Sequence, residues 1–247
     1  MLVQEVWLVF ALSLGAAGAA ALVSYLGAVT RPGPLRERTA QLNGTLAPGR
    51  PWLDLALQLL SIATALVPVL LVAHLLARSG ESLATLGVER REPRRDAARG
   101  ALLAAGVGGV GLGCYLATYH AGLNLTVVPE NLPAVWWRTP VLLLSALQNG
   151  LLEEVLVVGY LLHRLRQLGW GDGRALAVSA TLRGSYHLYQ GLGAAAANAA
   201  MGVLFGRLYR RWGRVAPLVV AHTLVDAVAF VGYAALRGTV SWLPVPH

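Results

Sequence analysis

The sequence contains no lysine, so all 20 of its basic residues are arginine. Charged residues make up only 13% of the 247 residues, about half the share that is usual in soluble globular domains. With 56% hydrophobic residues and a mean hydropathy of +0.57, this scarcity excludes a water-soluble domain.

Cysteine and acidic residues are also scarce. The single cysteine, Cys114, excludes an intrachain disulfide and a thiolate metal cage. Only 12 acidic residues oppose the arginines, which gives a net charge of +8. A nucleic-acid binder would concentrate this charge on one hydrated face, whereas here the arginines interrupt long apolar runs. The pattern is typical of the loops of a polytopic membrane protein, and we expect no nucleic-acid partner.

The apolar runs predict an all-α, polytopic transmembrane bundle of about seven to eight spans. A spanning helix needs roughly 20 apolar residues. The first run begins near Glu5, has no arginine before it and is too long for a cleaved signal, so we expect a retained anchor. The seven qualifying stretches are 6–29, 52–77, 98–119, 140–163, 174–190, 191–209 and 214–236.

The arginines predict which side of the membrane each loop faces. Loops 78–99, 164–174 and 207–214 lie on one side in a seven-span arrangement and hold 13 of the 20 arginines, which makes that side cytoplasmic. The four arginines of loop 30–51 fit this assignment poorly. We therefore expect either a re-entrant or interfacial segment in this loop, or an error in one of the first two spans.

Few ionisable side chains lie inside the predicted spans, and such residues usually face a cavity or a partner. They are His74, Glu153, Glu154, Arg183, His187, His222 and Asp226. His74 has no polar neighbour nearby in the sequence, so we interpret it as structural. The other six fall on three helices and form the candidate site.

Glu153 and Glu154 are adjacent, so their side chains project about 100° apart around a helix. One carboxylate could therefore act as a general base while hydrogen bonds hold the other. An interhelical salt bridge that only fixes packing is the alternative.

Two further pairs of ionisable residues each lie on one face of a helix. Arg183 and His187 are four residues apart and share a helix face, as are His222 and Asp226. At a rise of about 1.5 Å per residue along each predicted span, Glu153, His187 and His222 lie inside the hydrocarbon region. The three helices could therefore converge on one polar cavity. Glycines 106–113 and the pair Gly202 and Gly206 predict surfaces of close helix packing.

These three clusters, in this order, resemble the CPBP family: type II CAAX prenyl proteases and bacteriocin-processing or Abi-type intramembrane proteases. The family pattern is E-E-x-x-x-R, then F-x-x-x-H, then H-x-x-x-N or H-x-x-x-D. Glu153-Glu154, His187 and the pair His222 and Asp226 match it, within about residues 140–236. The resemblance implies N-terminal transmembrane helices and basic loops in residues 1–137. Residues 138–238 would then form a four-helix protease core.

Two positions depart from the family pattern. Val158 stands where the family has arginine, and Arg183 stands where it has phenylalanine. An unpaired buried carboxylate is costly, and a guanidinium can hold it with two hydrogen bonds. We therefore expect the cation to have moved to the next helix while still facing the glutamate pair.

The resemblance implies an intramembrane endopeptidase whose catalytic residues are Glu153, Glu154, His187, His222 and Asp226. Glu153 would activate a water that His187 helps to position, and His222 with Asp226 would stabilise the tetrahedral intermediate. Glu154 and Arg183 would organise the site. His187, His222 and Asp226 are also suitable zinc ligands, and a metal-dependent reaction stays open beside a metal-free one.

Two other classes stay open: a transporter with a Glu/His/Asp proton relay, and a catalytically silent scaffold or immunity-type protein. The arginine-only composition is typical of a GC-rich bacterial genome, so we expect an integral protein of the bacterial cytoplasmic membrane. The expected partners are the lipid bilayer and a membrane-embedded or membrane-associated peptide or protein substrate, such as a bacteriocin-like precursor.

Overall fold

The computed structural model describes residues 1–244, and most of them are helical. The π-helical stretch Glu154–Tyr160, called the π-segment below, joins α6 to α7 without a break. Two strands, β1 (Thr39–Gly44) and β2 (Thr126–Asn131), are the exception to the predicted all-α fold. The helices are α1 (Leu2–Ala11), α2 (Leu14–Val29), α3 (Pro51–Ala65), α4 (Val67–Arg78), α5 (Pro93–His120), α6 (Arg138–Glu153), α7 (Leu161–Gln167), α8 (Asp172–Ser185), α9 (Leu192–Trp212) and α10 (Ala216–Leu236).

Four helical stretches are long and apolar enough to cross a membrane: Pro51–Arg78, Pro93–His120, Arg138–Gln167 and Ala216–Leu236. Helices α1 and α2, bent by 46° relative to each other, add a fifth if they form one span. The 14 residues of α8 reach only about 21 Å, short of a hydrocarbon core of about 30 Å. The structure confirms a mostly helical membrane fold, but not the predicted seven to eight spans.

The arginine-rich connections between α4 and α5, α7 and α8, and α9 and α10 lie together at one end of the bundle, called the basic end. Arg164 Nη1 is 2.7 Å from Glu81 Oε2, and Arg214 Nη2 is 2.6 Å from Asp96 Oδ2. The backbone N–H of Val215 also donates to the carbonyl oxygen of Leu86 at 3.0 Å. This grouping is the one that the arginine distribution predicts for a cytoplasmic side.

The opposite end carries the two-stranded parallel sheet, in which Thr39 pairs with Thr126 and Gly44 with Asn131. Loop 30–51 therefore contributes a strand. Its Arg38 donates to the backbone carbonyls of Arg31 and Pro32 at 2.6 and 2.8 Å, beyond the C-terminal end of α2. These contacts give this arginine a local partner, which accounts for part of the poor fit of this loop to the charge rule.

The main hydrophobic core surrounds the π-segment and includes residues of every helix that packs against it. Val155, Leu156, Val157 and Val158 are fully buried there. A second, smaller cluster around Leu142 and Phe230 lies nearer the sheet. The polar site described below is embedded in this apolar surrounding, where charges require partners.

The two predicted glycine surfaces have different outcomes. A Cβ at Gly202 would lie 3.1 Å from Ala180 Cα, and one at Gly206 would lie 2.4 Å from Leu176 Cδ1, so α9 packs closely on α8 as predicted. The prediction for glycines 106–113 is wrong. A Cβ at Gly106, Gly109, Gly111 or Gly113 would meet nothing within 4 Å in residues 1–244, because this face of α5 points away from the bundle.

We expect Gly150→Ala to separate α6 from α10. The added Cβ would lie 2.6 Å from Thr223 Oγ1 and 3.0 Å from the backbone oxygen of Val219. Because the second atom belongs to a helix backbone, overpacking should lower the free energy of unfolding by about 1–3 kcal/mol. Denaturant titration in micelles measures this loss. Gly109→Ala, on the open face of α5, is the matched control and should be at least as stable as the unchanged protein, because alanine is favoured over glycine inside a helix by about 1 kcal/mol.

Candidate active site

The π-segment begins at Glu154, directly after Glu153, and all seven of its residues are buried. π-Helical turns are rare and frequently occur at functional sites. Ser179 of α8 donates from Oγ to the carbonyl oxygen of Val157 at 2.8 Å, which supports the altered backbone pattern from outside. The two glutamates thus lie at a local change of helical register.

Glu154 is fully enclosed between helices α8 and α10. Its Oε1 lies 2.8 Å from Arg183 Nη1 and 2.7 Å from His222 Nδ1. A carboxylate only accepts hydrogen bonds, so Nδ1 of His222 is the donor in this contact. Nδ1 also lies 3.1 Å from Arg183 Nη2, but a nitrogen that donates to Glu154 cannot accept from arginine as well.

Glu153 has a looser environment than its neighbour. Tyr186 donates from its hydroxyl to Glu153 Oε2 at 2.8 Å, and Arg183 Nη2 lies 3.5 Å from the same oxygen. Oε1 takes no part in these two contacts. The residue is 8% exposed, whereas Glu154 is 0% exposed. Of the two carboxylates, Glu153 is therefore the one that further groups can approach.

His187 follows α8 and is half-buried. Its Nδ1 lies 3.0 Å from the backbone oxygen of Arg183, and since a carbonyl oxygen only accepts, Nδ1 carries the proton. Nε2 of the neutral ring then has a free lone pair. The ring lies 4.8 Å from that of Tyr186, centroid to centroid, next to the tyrosine that holds Glu153.

His222 and Asp226 occupy successive turns of α10, as their spacing predicts. His222 Nε2 is 3.8 Å from Asp226 Oδ2, and Asn149 of α6 donates from Nδ2 to that oxygen at 2.8 Å. Both nitrogens of His222 thus face carboxylates, Glu154 on one side and Asp226 on the other. Asn149 lies one helical turn before Glu153, so α6 contributes to both parts of the site.

Arg183 makes the contact that the compensation hypothesis requires. Its guanidinium contacts both glutamates, whereas Val158 is fully buried in the hydrophobic core. The arginine carbon Cζ also lies 5.3 Å from the ring centroid of Phe205 on α9. An aromatic ring of α9 thus packs against Arg183, the residue that stands where the family pattern has phenylalanine.

Some buried polar atoms of the site lack a hydrogen-bond partner within residues 1–244. They are Glu154 Oε2, Arg183 Nε and Nη1, and Thr223 Oγ1, so the 2.8 Å approach of Nη1 to Glu154 Oε1 is an ion pair without hydrogen-bond geometry. Buried polar atoms in proteins are nearly always hydrogen-bonded, often to internal water. Internal water at these atoms would satisfy them.

The residues present do not fit a zinc site. Among the described residues, no group of three or more histidine, cysteine, aspartate or glutamate side chains has the spacing of metal ligands. His222 directs Nδ1 toward Glu154. The predicted set of His187, His222 and Asp226 gains no support as a metal centre, and no step below depends on a metal.

The motifs do not single out three residues that the site contains. Tyr186 lies between the two predicted residues of α8, and Asn149 precedes Glu153 by four positions, so helical spacing could have indicated both. Phe205 carries no signal in the sequence, because an aromatic residue in an apolar helix is ordinary. His74, interpreted as structural, is exposed on α4.

Buried carboxylates, histidines and an arginine on neighbouring helices of a membrane protein are typical of an intramembrane functional site. Residues 135–228 match the family model described as "Type II CAAX prenyl endopeptidase Rce1-like". The match confirms the predicted resemblance to type II CAAX prenyl endopeptidases, and the matched segment contains all six predicted site residues. No curated protein and no solved structure matches the chain.

We expect Tyr186→Phe to weaken the site without dismantling it. The change removes the hydroxyl that donates to Glu153, and a hydrogen bond to a charged group contributes about 1.5–3 kcal/mol. The free energy of unfolding in micelles should fall by this amount. Tyr189→Phe is the control, because the Tyr189 hydroxyl only accepts from its neighbour Gln190, and its effect should be smaller. Equal losses in both variants would contradict the assignment.

Proposed function

We propose that the protein is an intramembrane endopeptidase that hydrolyses a peptide bond with a water activated by Glu153. The observation that carries this proposal is the convergence of Glu153 with an arginine-bound Glu154, a histidine of fixed tautomer and a second histidine, between the shorter helix α8 and two helices long and apolar enough to span a membrane. A structural salt bridge would need only one carboxylate and one cation.

The contacts favour a different role for each of the two glutamates. Glu154 is fully enclosed and committed to Arg183 and His222, so it organises the site. Glu153 keeps Oε1 free of both Tyr186 and Arg183 and is the more accessible carboxylate. A general base must reach the proton that it removes, which favours Glu153.

In the proposed reaction, Glu153 takes a proton from water while the water oxygen bonds to the carbonyl carbon of the substrate. The free lone pair of His187 Nε2 accepts the other O–H of that water and orients it. When the carbon–nitrogen bond breaks, Glu153 returns its proton to the leaving amine. The products are a carboxylate and an amine, without a covalent enzyme intermediate.

The developing oxyanion needs donors that are already in place. Glu154 holds His222 through Nδ1, and the other ring nitrogen, Nε2, lies 3.8 Å from Asp226, which Asn149 holds. We propose that the Nε2–H group of His222 donates to the oxyanion. Asp226 orients the imidazole and offsets the charge that it carries.

The substrate class follows from the matched family and from the surroundings of the site. The family description names prenyl endopeptidases, and the site lies within membrane helices. We propose a peptide or protein held at the membrane by a lipid group or an apolar segment, in a bacterial cytoplasmic membrane. Two probes represent these possibilities: a farnesylated C-terminal peptide, and an unprenylated peptide with a transmembrane anchor.

The test is cleavage of both probes by purified protein in liposomes. His187→Ala and His222→Ala should each lose at least about 100-fold in rate, because the first mispositions the attacking water and the second removes the oxyanion donor. His74→Ala, an exposed histidine on α4, is the control and should keep full activity. Equal cleavage by all four proteins would refute the proposed site. Proton transport without cleavage would favour a transporter with a Glu/His/Asp proton relay. A folded protein with neither activity would favour a catalytically silent scaffold or immunity-type protein.

A further inference from the structure

A second buried ionic cluster lies at the basic end, away from the candidate active site. Its centre is Arg164 of α7, whose side chain is 1% exposed. All five N–H groups of its guanidinium have an acceptor in reach. The contacts are Nε to Glu5 Oε1 (3.1 Å), Nη1 to Glu81 Oε2 and Gln167 Oε1 (both 2.7 Å), and Nη2 to Ser79 Oγ (3.0 Å) and the Leu75 carbonyl oxygen (3.4 Å).

Two carboxylates from distant parts of the chain balance this arginine. Glu81 follows α4, and its other oxygen lies 2.6 Å from His163 Nε2. Burial opposes ionisation of Glu81, but hydrogen bonds and charges from His163, Ser79 and Arg164 together lower the pKa of this carboxyl. Glu5 belongs to α1, more than 150 residues before Arg164 in the chain.

Glu5 also holds the last residue of the π-segment. Tyr160 donates from its hydroxyl to Glu5 Oε1 at 2.6 Å, and the guanidinium of Arg164 lies 5.3 Å from the Tyr160 ring centroid. Apolar contacts seat α1 in this place, since Val9 and Phe10 are buried in the main core. One oxygen of an N-terminal carboxylate thus contacts both Tyr160 and Arg164.

The π-segment is therefore held at both ends by polar contacts, a buried ionic contact at its start and a part-buried hydrogen bond at its end. Arg183 and His222 hold Glu154 at its start, and Glu5 holds Tyr160 at its end. An α-helix places successive residues 100° apart, so a return of this segment to α-helical register would rotate one end against the other. The glutamate pair would then turn away from its partners on α8 and α10.

We propose that Glu5 is a positioning residue of the active site, which fixes the π-helical register that places Glu153 and Glu154. Helix α1 then has a role in addition to anchoring the chain. The consequence for catalysis rests on the proposed function, whereas the consequence for the backbone of residues 154–160 does not.

Hydrogen exchange measured by mass spectrometry tests the backbone part directly. Glu5→Ala removes both contacts, so amides of residues 154–160 should exchange at least about tenfold faster, with little change in α9. Glu5→Gln keeps an oxygen that accepts from Tyr160 and should show a smaller increase. Tyr160→Phe removes one contact only and keeps the test informative if Glu5→Ala does not fold. Glu92→Ala, which breaks an exposed ion pair with Arg95, is the control.

Cleavage of the anchored peptides tests the catalytic part. Glu5→Ala should lower kcat at least about tenfold with KM nearly unchanged, and Glu5→Gln should restore part of the rate. Unchanged exchange in residues 154–160, or faster exchange spread evenly over the chain, would overturn the proposal. If the unchanged protein cleaves neither peptide but the local exchange effect is present, the proposed function fails while the role of Glu5 in the register stands.

Discussion

Replacing Arg183 with alanine is expected to lower the free energy of unfolding by about 3–5 kcal/mol, the usual cost of leaving one charge of a buried pair without its partner. The side chains of Arg183 and Glu154 are both 0% exposed, so water cannot replace the lost cation at its present position. Glu153 loses the same partner, because the guanidinium also lies 3.5 Å from its Oε2.

Denaturant titration of the purified variant in micelles measures this effect. Arg174→Ala is the matched control on the same helix, since Arg174 is exposed and contacts only the Trp170 ring in a cation–π pair worth about 0.5–1 kcal/mol. The double variant Arg183→Leu with Glu154→Leu should recover part of the stability, because it removes both charges of this pair but leaves Glu153 without Arg183. A loss below about 1 kcal/mol for Arg183→Ala would show that this ion pair is not buried as described.

Glu153→Gln is expected to reduce kcat by about 100-fold to 10,000-fold, which is the contribution of a general base. Glutamine has nearly the same shape and can still accept the hydrogen bond from Tyr186, but it cannot take a proton from water. The fold and KM should therefore change little. Cleavage rates of the anchored peptides, with a thermal unfolding curve for each variant, separate lost chemistry from lost structure.

Glu154→Gln provides the comparison that assigns the roles. Its carboxylate is committed to Arg183 and His222, so this variant should lose stability as well as rate. A stable but inactive Glu154→Gln protein, together with an active Glu153→Gln protein, would instead make Glu154 the base.

The candidate site was largely predictable from the sequence because charge is costly in an apolar helix. The six ionisable residues singled out on three predicted spans all lie in the site. The Arg183 contact also followed from physical reasoning, since a buried carboxylate pair needs a cation and only one was near. The catalytic roles of these residues and the domain boundary near residue 138 stay predictions.

Three structural features have no signal in the sequence comparable to these buried charges. The π-segment differs from an α-helix by hydrogen-bond register, which hydropathy does not encode. The sheet joins strands more than 80 residues apart, and the contact of Glu5 with Arg164 spans almost the whole described chain. For the glycines of α5, the sequence predicts a packing surface that the structure does not have, because small residues permit close packing without requiring it.

Peptide hydrolysis by Glu153-activated water is tested most directly in liposomes prepared in ¹⁸O-labelled water. The purified protein should cleave a membrane-anchored peptide, and mass spectrometry should find one ¹⁸O atom in the new carboxyl terminus. The Glu153→Gln protein, folded to the same extent, should yield almost none of this product. Labelled product formed by Glu153→Gln at the rate of the unchanged protein would contradict the account.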